Sequence, residues 1–213
     1  MTVHEAWERV ENWLRSHAPA AYDSLPGPAV PDEIRSTEQV IGRALPREMV
    51  DSLSRHNGSG EFVLPNFHRL NDVNMIAVEC MEYRRIEDER RMGVETSALP
   101  PGGFFYWNPL WTPFAHDESG NSLFLGQARD DSLGRVGVHE KDGGGSFPEH
   151  RALTSFTALL EFTARGLHDG IIDLWGEQEA YVDDDGFLEW REAGADDEVA
   201  WNMEAMGRRF GFD

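Results

Sequence analysis

The 213-residue chain carries 19 Lys and Arg against 39 Asp and Glu, a net charge of −20, with 40% hydrophobic and 11% aromatic residues. That apolar share supplies a core and excludes a wholly disordered chain, and the length fits one large domain or a domain with an appendage. The charge excludes nonspecific binding to nucleic acid and disfavours anionic membrane surfaces, because both would repel the protein.

Val3, Ala6, Trp7, Val10 and Leu14 recur at helical spacing, and Pro19 is expected to end that helix. Residues 18–31 hold four prolines and read as a loop. Pro31-Asp32-Glu33 marks a helix start that runs through Ile34, Glu38 and Ile41 to Gly42. Leu45-Pro46 opens another helix, with Met49, Val50 and Leu53 on one face and His56-Asn57-Gly58 as its expected cap. Residues 62–64 and 67–70 read as short strands around Pro65. Asp72 can cap a helix that buries Val73, Ile76, Ala77 and Cys80, and its charged end, residues 82–91, is expected to be exposed.

The middle of the chain changes character. Residues 104–107, 111–115, 122–125 and 135–140 are short aromatic or β-branched runs. Between the later runs lie turn-rich stretches at 117–121, 129–134 and 142–145, the pattern of an antiparallel meander. Ser155 then caps a helix with Phe156, Leu159, Leu160, Thr163 and Leu167 in phase. Residues 179–182 and 187–191 flank Asp183–Gly186 as a hairpin. Val199, Met203, Met206 and Phe210 mark a last helix. Helices, then strands, then a helix predict an α+β fold with a twisted, mostly antiparallel sheet flanked by helices.

Chemical motifs are weak throughout. The eight His form no zinc spacing, and no HExxH or CxxC occurs. Cys80 is the single cysteine, so no internal disulfide exists, which suits a reducing cytosol; its place on an inner helix face predicts an inert thiol. The run Asp183-Asp184-Asp185-Gly186 fails as a calcium loop because Tyr181 stands where the first carboxylate is needed. Gly143-Gly144-Gly145 is followed by no Gly-Lys-Ser/Thr and reads as a turn, and Ser155 lacks the glycines of a nucleophile elbow. No stretch of 18 apolar residues occurs, and the acidic N-terminus, with Glu5, Glu8 and Glu11, is unlike a signal peptide. These observations predict a cytoplasmic protein without catalysis, cofactor or metal.

The charge is uneven: residues 169–213 hold 14 Asp and Glu against 3 Arg. Such clustering either keeps a surface solvated or attracts a basic partner. The stretch from Trp107 to Phe114 is the least generic in the chain. Its tryptophans either plug the core at the sheet edge or anchor an interface. The candidate partner-binding residues are Trp107, Trp111, Asp117, Glu118, Asp130, Asp131, Asp183, Asp184 and Asp185.

Ile34, Glu38, Gly42, Leu45-Pro46, Leu53 and Asn57-Gly58, in that order, resemble the SUKH superfamily. It includes the Smi/Knr-type yeast cell-wall synthesis regulator and many bacterial immunity proteins. Trp107, Trp111, Pro113-Phe114-Ala115, Asp117 and Gly120 are similar to the family's strand–turn pattern. Gly134, Val136-Gly137 and Ser155-Phe156 are similar to its later strand and final helix. Asn121 and Gly126 depart from it, where members often carry Asp. The resemblance covers the domain expected over 1–168, and the apolar residues of the acidic hairpin and helix over 169–213 predict that this piece docks on it. It further implies a non-enzymatic immunity protein that neutralises a toxin domain, such as a nuclease, by direct contact. The alternative is a regulatory scaffold like the yeast member. The expected partner is a basic protein, with no nucleic acid and no membrane.

Overall fold

A computed structural model describes residues 1–92 and 106–195. Its elements are α1 (Val3–His17), α2 (Pro19–Asp23), α3 (Pro31–Ile41), α4 (Arg47–Leu53), β1 (Val63–Leu64), β2 (His68–Leu70), α5 (Val73–Arg91), β3 (Trp111–His116), β4 (Ser122–Gly126), β5 (Val136–Glu140), β6 (Gly144–Ser146), α6 (Phe156–Asp169), β7 (Ile171–Asp173), β8 (Glu177–Val182) and β9 (Leu188–Glu192). Strands β1 to β6 form one antiparallel sheet in sequence order, and β7 to β9 form a second, smaller one. The fold is α+β.

Local chemistry sets the helix ends. Thr2 Oγ1 accepts the Glu5 N–H at 3.2 Å while Glu5 Oε2 accepts the Thr2 N–H at 2.7 Å, so two otherwise orphaned donors are satisfied at the start of α1. Glu33 accepts the Val30 N–H at 3.1 Å ahead of α3, and Gly42 closes that helix in the left-handed conformation at φ 75°. Asp72 accepts the Met75 N–H at 2.7 Å, and Ser155 accepts the Ala158 N–H at 3.1 Å, as their spacing predicts.

Five expectations are corrected. The proline-rich stretch after α1 contains α2, because Pro19 takes the first helical position, where its missing N–H costs nothing. Helix α4 ends at Leu53, before Asn57 and Gly58. The Asn57 side chain instead accepts the Val73 N–H at 3.0 Å and ties that loop to α5. The charged end of α5 is not exposed all round: Tyr83 and Glu87 are buried. Gly144 and Gly145 belong to β6 rather than to a turn. Of the expected run at 104–107, Phe104 and Phe105 lie outside the described residues, and Tyr106 and Trp107 are not in a strand. The expected last helix, from Val199 to Phe210, also lies outside them.

The large sheet separates two apolar clusters. On one face Leu70, Phe114, Leu123, Leu125 and Val136 pack with α1, α3, α4 and α6 in the main core. On the other, Trp111 and Phe124 pack with Tyr83, Tyr106 and Trp107. A register shift between Pro113 and Ala115 breaks the alternation, so Phe114 and Ala115 both join the main core. The glycines of β5 and β6 exist for the aromatic face. A Cβ on Gly137 would lie 2.2 Å from the Phe124 ring, and one on Gly145 would lie 2.2 Å from the Trp111 ring. The small sheet shares the main core through Ile172, Leu174, Leu188 and Trp190. Trp190 Nε1 donates to the Val63 carbonyl at 3.0 Å, and the Ala21 N–H donates to the Gly186 carbonyl at 3.2 Å.

Candidate functional site

The nine candidate binding residues do not converge. Trp107 is fully buried and Trp111 is 3% exposed, so in the isolated chain both are core residues. Trp111 stacks on Phe124 at 4.1 Å between ring centroids, and Trp107 meets Trp111 edge-on at 5.3 Å. The segment that holds Trp107 is tied down by Glu87, whose Oε2 accepts the N–H groups of Tyr106 at 2.6 Å and Trp107 at 3.1 Å. That buried carboxylate was not visible in the sequence: it sits in a run of mixed charges, and only its spacing from Tyr83, one helical turn earlier, hinted at an inward face.

The acidic candidates fall in three places. Asp117 and Glu118 lie in the β3–β4 turn, at the end of the sheet where His116 pairs with Ser122. Asp130 and Asp131 lie in the β4–β5 connection, at the opposite end. Asp183, Asp184 and Asp185 form the β8–β9 turn. One acid of each group holds its own turn. Asp117 accepts the Ser119 and Asn121 N–H groups at 2.9 and 2.8 Å. Asp130 accepts the Ser132 N–H at 2.8 Å, and Asp183 accepts those of Asp185 and Phe187 at 3.0 and 2.8 Å. Of these acids Glu118, Asp130, Asp131, Asp184 and Asp185 are exposed and within reach of a partner.

A larger acidic surface emerges from the register of the small sheet. Ile172, Gln178, Ala180, Leu188 and Trp190 alternate toward the core. The opposite face therefore carries Ile171, Asp173, Glu177, Glu179, Tyr181, Glu189 and Arg191. The Arg191 guanidinium lies 3.1 Å from the Tyr181 ring centroid and pairs with Glu189 at 3.2 Å. Ile171 is 57% exposed on this face. Sequence inspection found the hairpin but not β7, and without β7 the row of Asp173, Glu177 and Glu179 could not be assembled.

Burial pushes the Cys80 thiol up to about 11, so it stays protonated near neutrality. Among the described residues no group of three or more His, Cys, Asp or Glu could hold a metal ion, and no helix is long and apolar enough to cross a membrane. His139 is fully buried against Tyr83, Tyr106 and Trp107, and burial lowers its pKa to about 4.

Glu79 on α5 takes a hydrogen bond from Asn71 Nδ2 at 2.7 Å, and Asn71 Oδ1 meets His116 Nδ1 at 2.5 Å. Burial pushes the Glu79 carboxyl up to about 7 against the lowering effect of Asn71. The native state therefore holds a proton that the unfolded chain loses near its ordinary 4.5. Stability from this group is full below that value and is lost as pH rises toward about 7. Glu79→Gln keeps the acceptor and removes the titration. Its stability advantage over the wild type, measured by urea unfolding, is expected to grow by about 2–3 kcal/mol between pH 5 and pH 8. A constant difference across that range would contradict the buried-carboxyl assignment.

Residues 28–162 match the model of the SMI1 / KNR4 family (SUKH-1). The chain is also similar to a Schizosaccharomyces pombe protein described as "Cell wall biosynthesis/cell cycle regulator smi1". The two are 24% identical over 179 residues, an alignment covering 75% of this chain and 36% of the relative. The chain thus spans about a third of the length of that curated relative.

Proposed function

The chain belongs to the SMI1/KNR4 family (SUKH-1), and from that premise we propose that it is a non-enzymatic binding domain, an immunity protein that neutralises a basic toxin domain by direct contact. The observation that carries this reading is the outward face of the small sheet. Glu179 and Glu189 lie beside Tyr181 there, Asp173 and Glu177 pair at the far end of the same face, and Arg191 is drawn in against the ring and Glu189. A nuclease presents a basic cleft for phosphate, and a surface of opposite charge speeds encounter with it. The deep burial of Cys80 and His139 fits a role in binding rather than in catalysis.

Asp184 and Asp185 at the β8–β9 turn extend the same acidic element. The test neutralises Asp173, Glu177, Asp184 and Asp185 together as Asn or Gln, and spares Asp183, which holds the turn. The association rate with the product of the neighbouring gene is expected to fall about tenfold at low salt, with little change in the off-rate. An unchanged association rate would remove this face from the proposal.

A second reading is a regulatory scaffold, favoured by the name of the yeast relative. It shares the binding domain and differs in consequence. A regulator binds its partner and leaves the partner's activity intact, whereas an immunity protein abolishes it at one-to-one stoichiometry.

A further inference from the structure

The small sheet meets the large one across a seam that contains a buried imidazole. His68 opens β2 and is 2% exposed, and neither ring nitrogen has a hydrogen-bond partner among the described residues. Its ring lies 5.8 Å from that of Trp175, between β7 and β8. Around it the seam is made by the Trp190 bond to Val63 and by the Asn66 N–H, which donates to Gln178 Oε1 at 3.2 Å.

From β3 and the turn after it, His116 and Asp117 bear on His68, as do the backbone groups of Pro65 and Asn66 from the turn between β1 and β2. Both Asp117 oxygens accept hydrogen bonds in their own turn, Oδ1 from Ser119 and Asn121 N–H and Oδ2 from Asn121 Nδ2 at 2.8 Å. His116 is bonded to Asn71. A neutral imidazole fits this apolar seam. An imidazolium there would be a buried charge without a hydrogen-bonded counter-ion, which is costly unless water can reach it.

We propose that His68 is a proton-operated latch: neutral, it lets β7–β9 seat against β1 and β2, and protonated, it loosens the small sheet and withdraws its acidic face from a partner. Only the last step rests on the binding reading above.

The sign follows from burial, which lowers the His68 pKa below its ordinary 6.5. The neighbouring His116 acts in the same sense, and Asp117 and the backbone of Pro65 and Asn66 oppose it. The released state therefore takes up a proton that the seated state excludes. Seating is at full strength above 6.5 and weakens as pH falls through that value toward the lowered pKa of the seated state. Each pH unit within that window shifts the ratio of seated to released sheet by about tenfold.

Hydrogen exchange on the full chain between pH 8 and pH 5, corrected for intrinsic exchange, tests this directly. Taken relative to α6 and β4, which report any global change from Glu79 or His139, protection of amides in β8 and β9 is expected to fall by about tenfold per pH unit once below the ordinary imidazole pKa. His68→Phe should keep the pH 8 protection and abolish its pH dependence, and His116→Asn should leave the dependence in place. If His68→Phe does not fold, the wild-type profile still decides. Protection in β8 and β9 that stays level, or that falls in step with α6 and β4, overturns the latch. So does a pH response that survives His68→Phe or disappears in His116→Asn. Partner binding lost in acid without a change in exchange also overturns the latch and leaves the binding reading standing. An intact exchange response with no partner binding at any pH supports the latch and removes the binding reading.

Discussion

Trp111→Ala should lower the melting temperature by roughly 6–20 °C, because removing a buried aromatic costs about 3–5 kcal/mol in a chain of this size. The ring is 3% exposed, stacked on Phe124 and seated over Gly145, where no side chain could stand. Truncation leaves a cavity that Trp107 and Phe124 cannot fill without leaving their own contacts. Scanning calorimetry measures the shift. Where the variant remains folded, its off-rate from a partner should match the wild type. A variant that melts like the wild type but releases a partner faster would place the ring at an interface and contradict its position in the core.

Ending the chain after Gly170 is expected to do more. It removes Ile172, Leu174, Leu188 and Trp190 from the main core, and Trp190 is fully buried with its indole N–H on the Val63 carbonyl. At about 1.5–3 kcal/mol for each of these large apolar side chains, the loss is of order 6–12 kcal/mol before the ordering entropy of the deleted segment is returned. The returned entropy offsets part of this loss, so the 1–170 fragment should remain folded but melt roughly 20 °C or more below the full chain, whereas the 1–192 fragment keeps all three strands and should melt within a few degrees of it. Equal melting temperatures for the 1–170 fragment and the full chain would show that the small sheet contributes nothing to the core.

Much of the fold was legible because its signals are local. Apolar spacing from Val3 to Leu14 located α1, and Pro31-Asp32-Glu33, Asp72 and Ser155 marked the starts of α3, α5 and α6, where Glu33, Asp72 and Ser155 each satisfy a backbone donor within a few residues. The meander was legible for the same reason, since its strands are joined by turns that Asp117 and Asp130 close on themselves. What could not be read depends on contacts between distant residues. Glu87 is buried because Tyr106 and Trp107 fold back onto it. Gly145 read as a turn residue and Gly137 as one position of a strand, yet the role of both is to leave room for the Trp111 and Phe124 rings. The candidate binding residues were grouped by charge in the sequence, but successive hairpin turns emerge at opposite ends of a meander, which separates Asp117 from Asp131. The acidic face of the small sheet was hidden by β7, whose three residues carry too little pattern to reveal its pairing with β8.

On this reading the domain captures a basic partner through opposite charge on the small sheet. The most direct measurement is the association rate of the intact protein with the product of the gene beside its own, from about 10 to about 150 mM salt, read together with that partner's activity. Exposed charges are screened beyond about 8 Å at the upper end of that range, so the rate should fall steeply as salt rises, with the partner's activity lost at one-to-one stoichiometry. An association rate that stays flat across the range would contradict the account and leave the charge of −20 as a means of solubility alone.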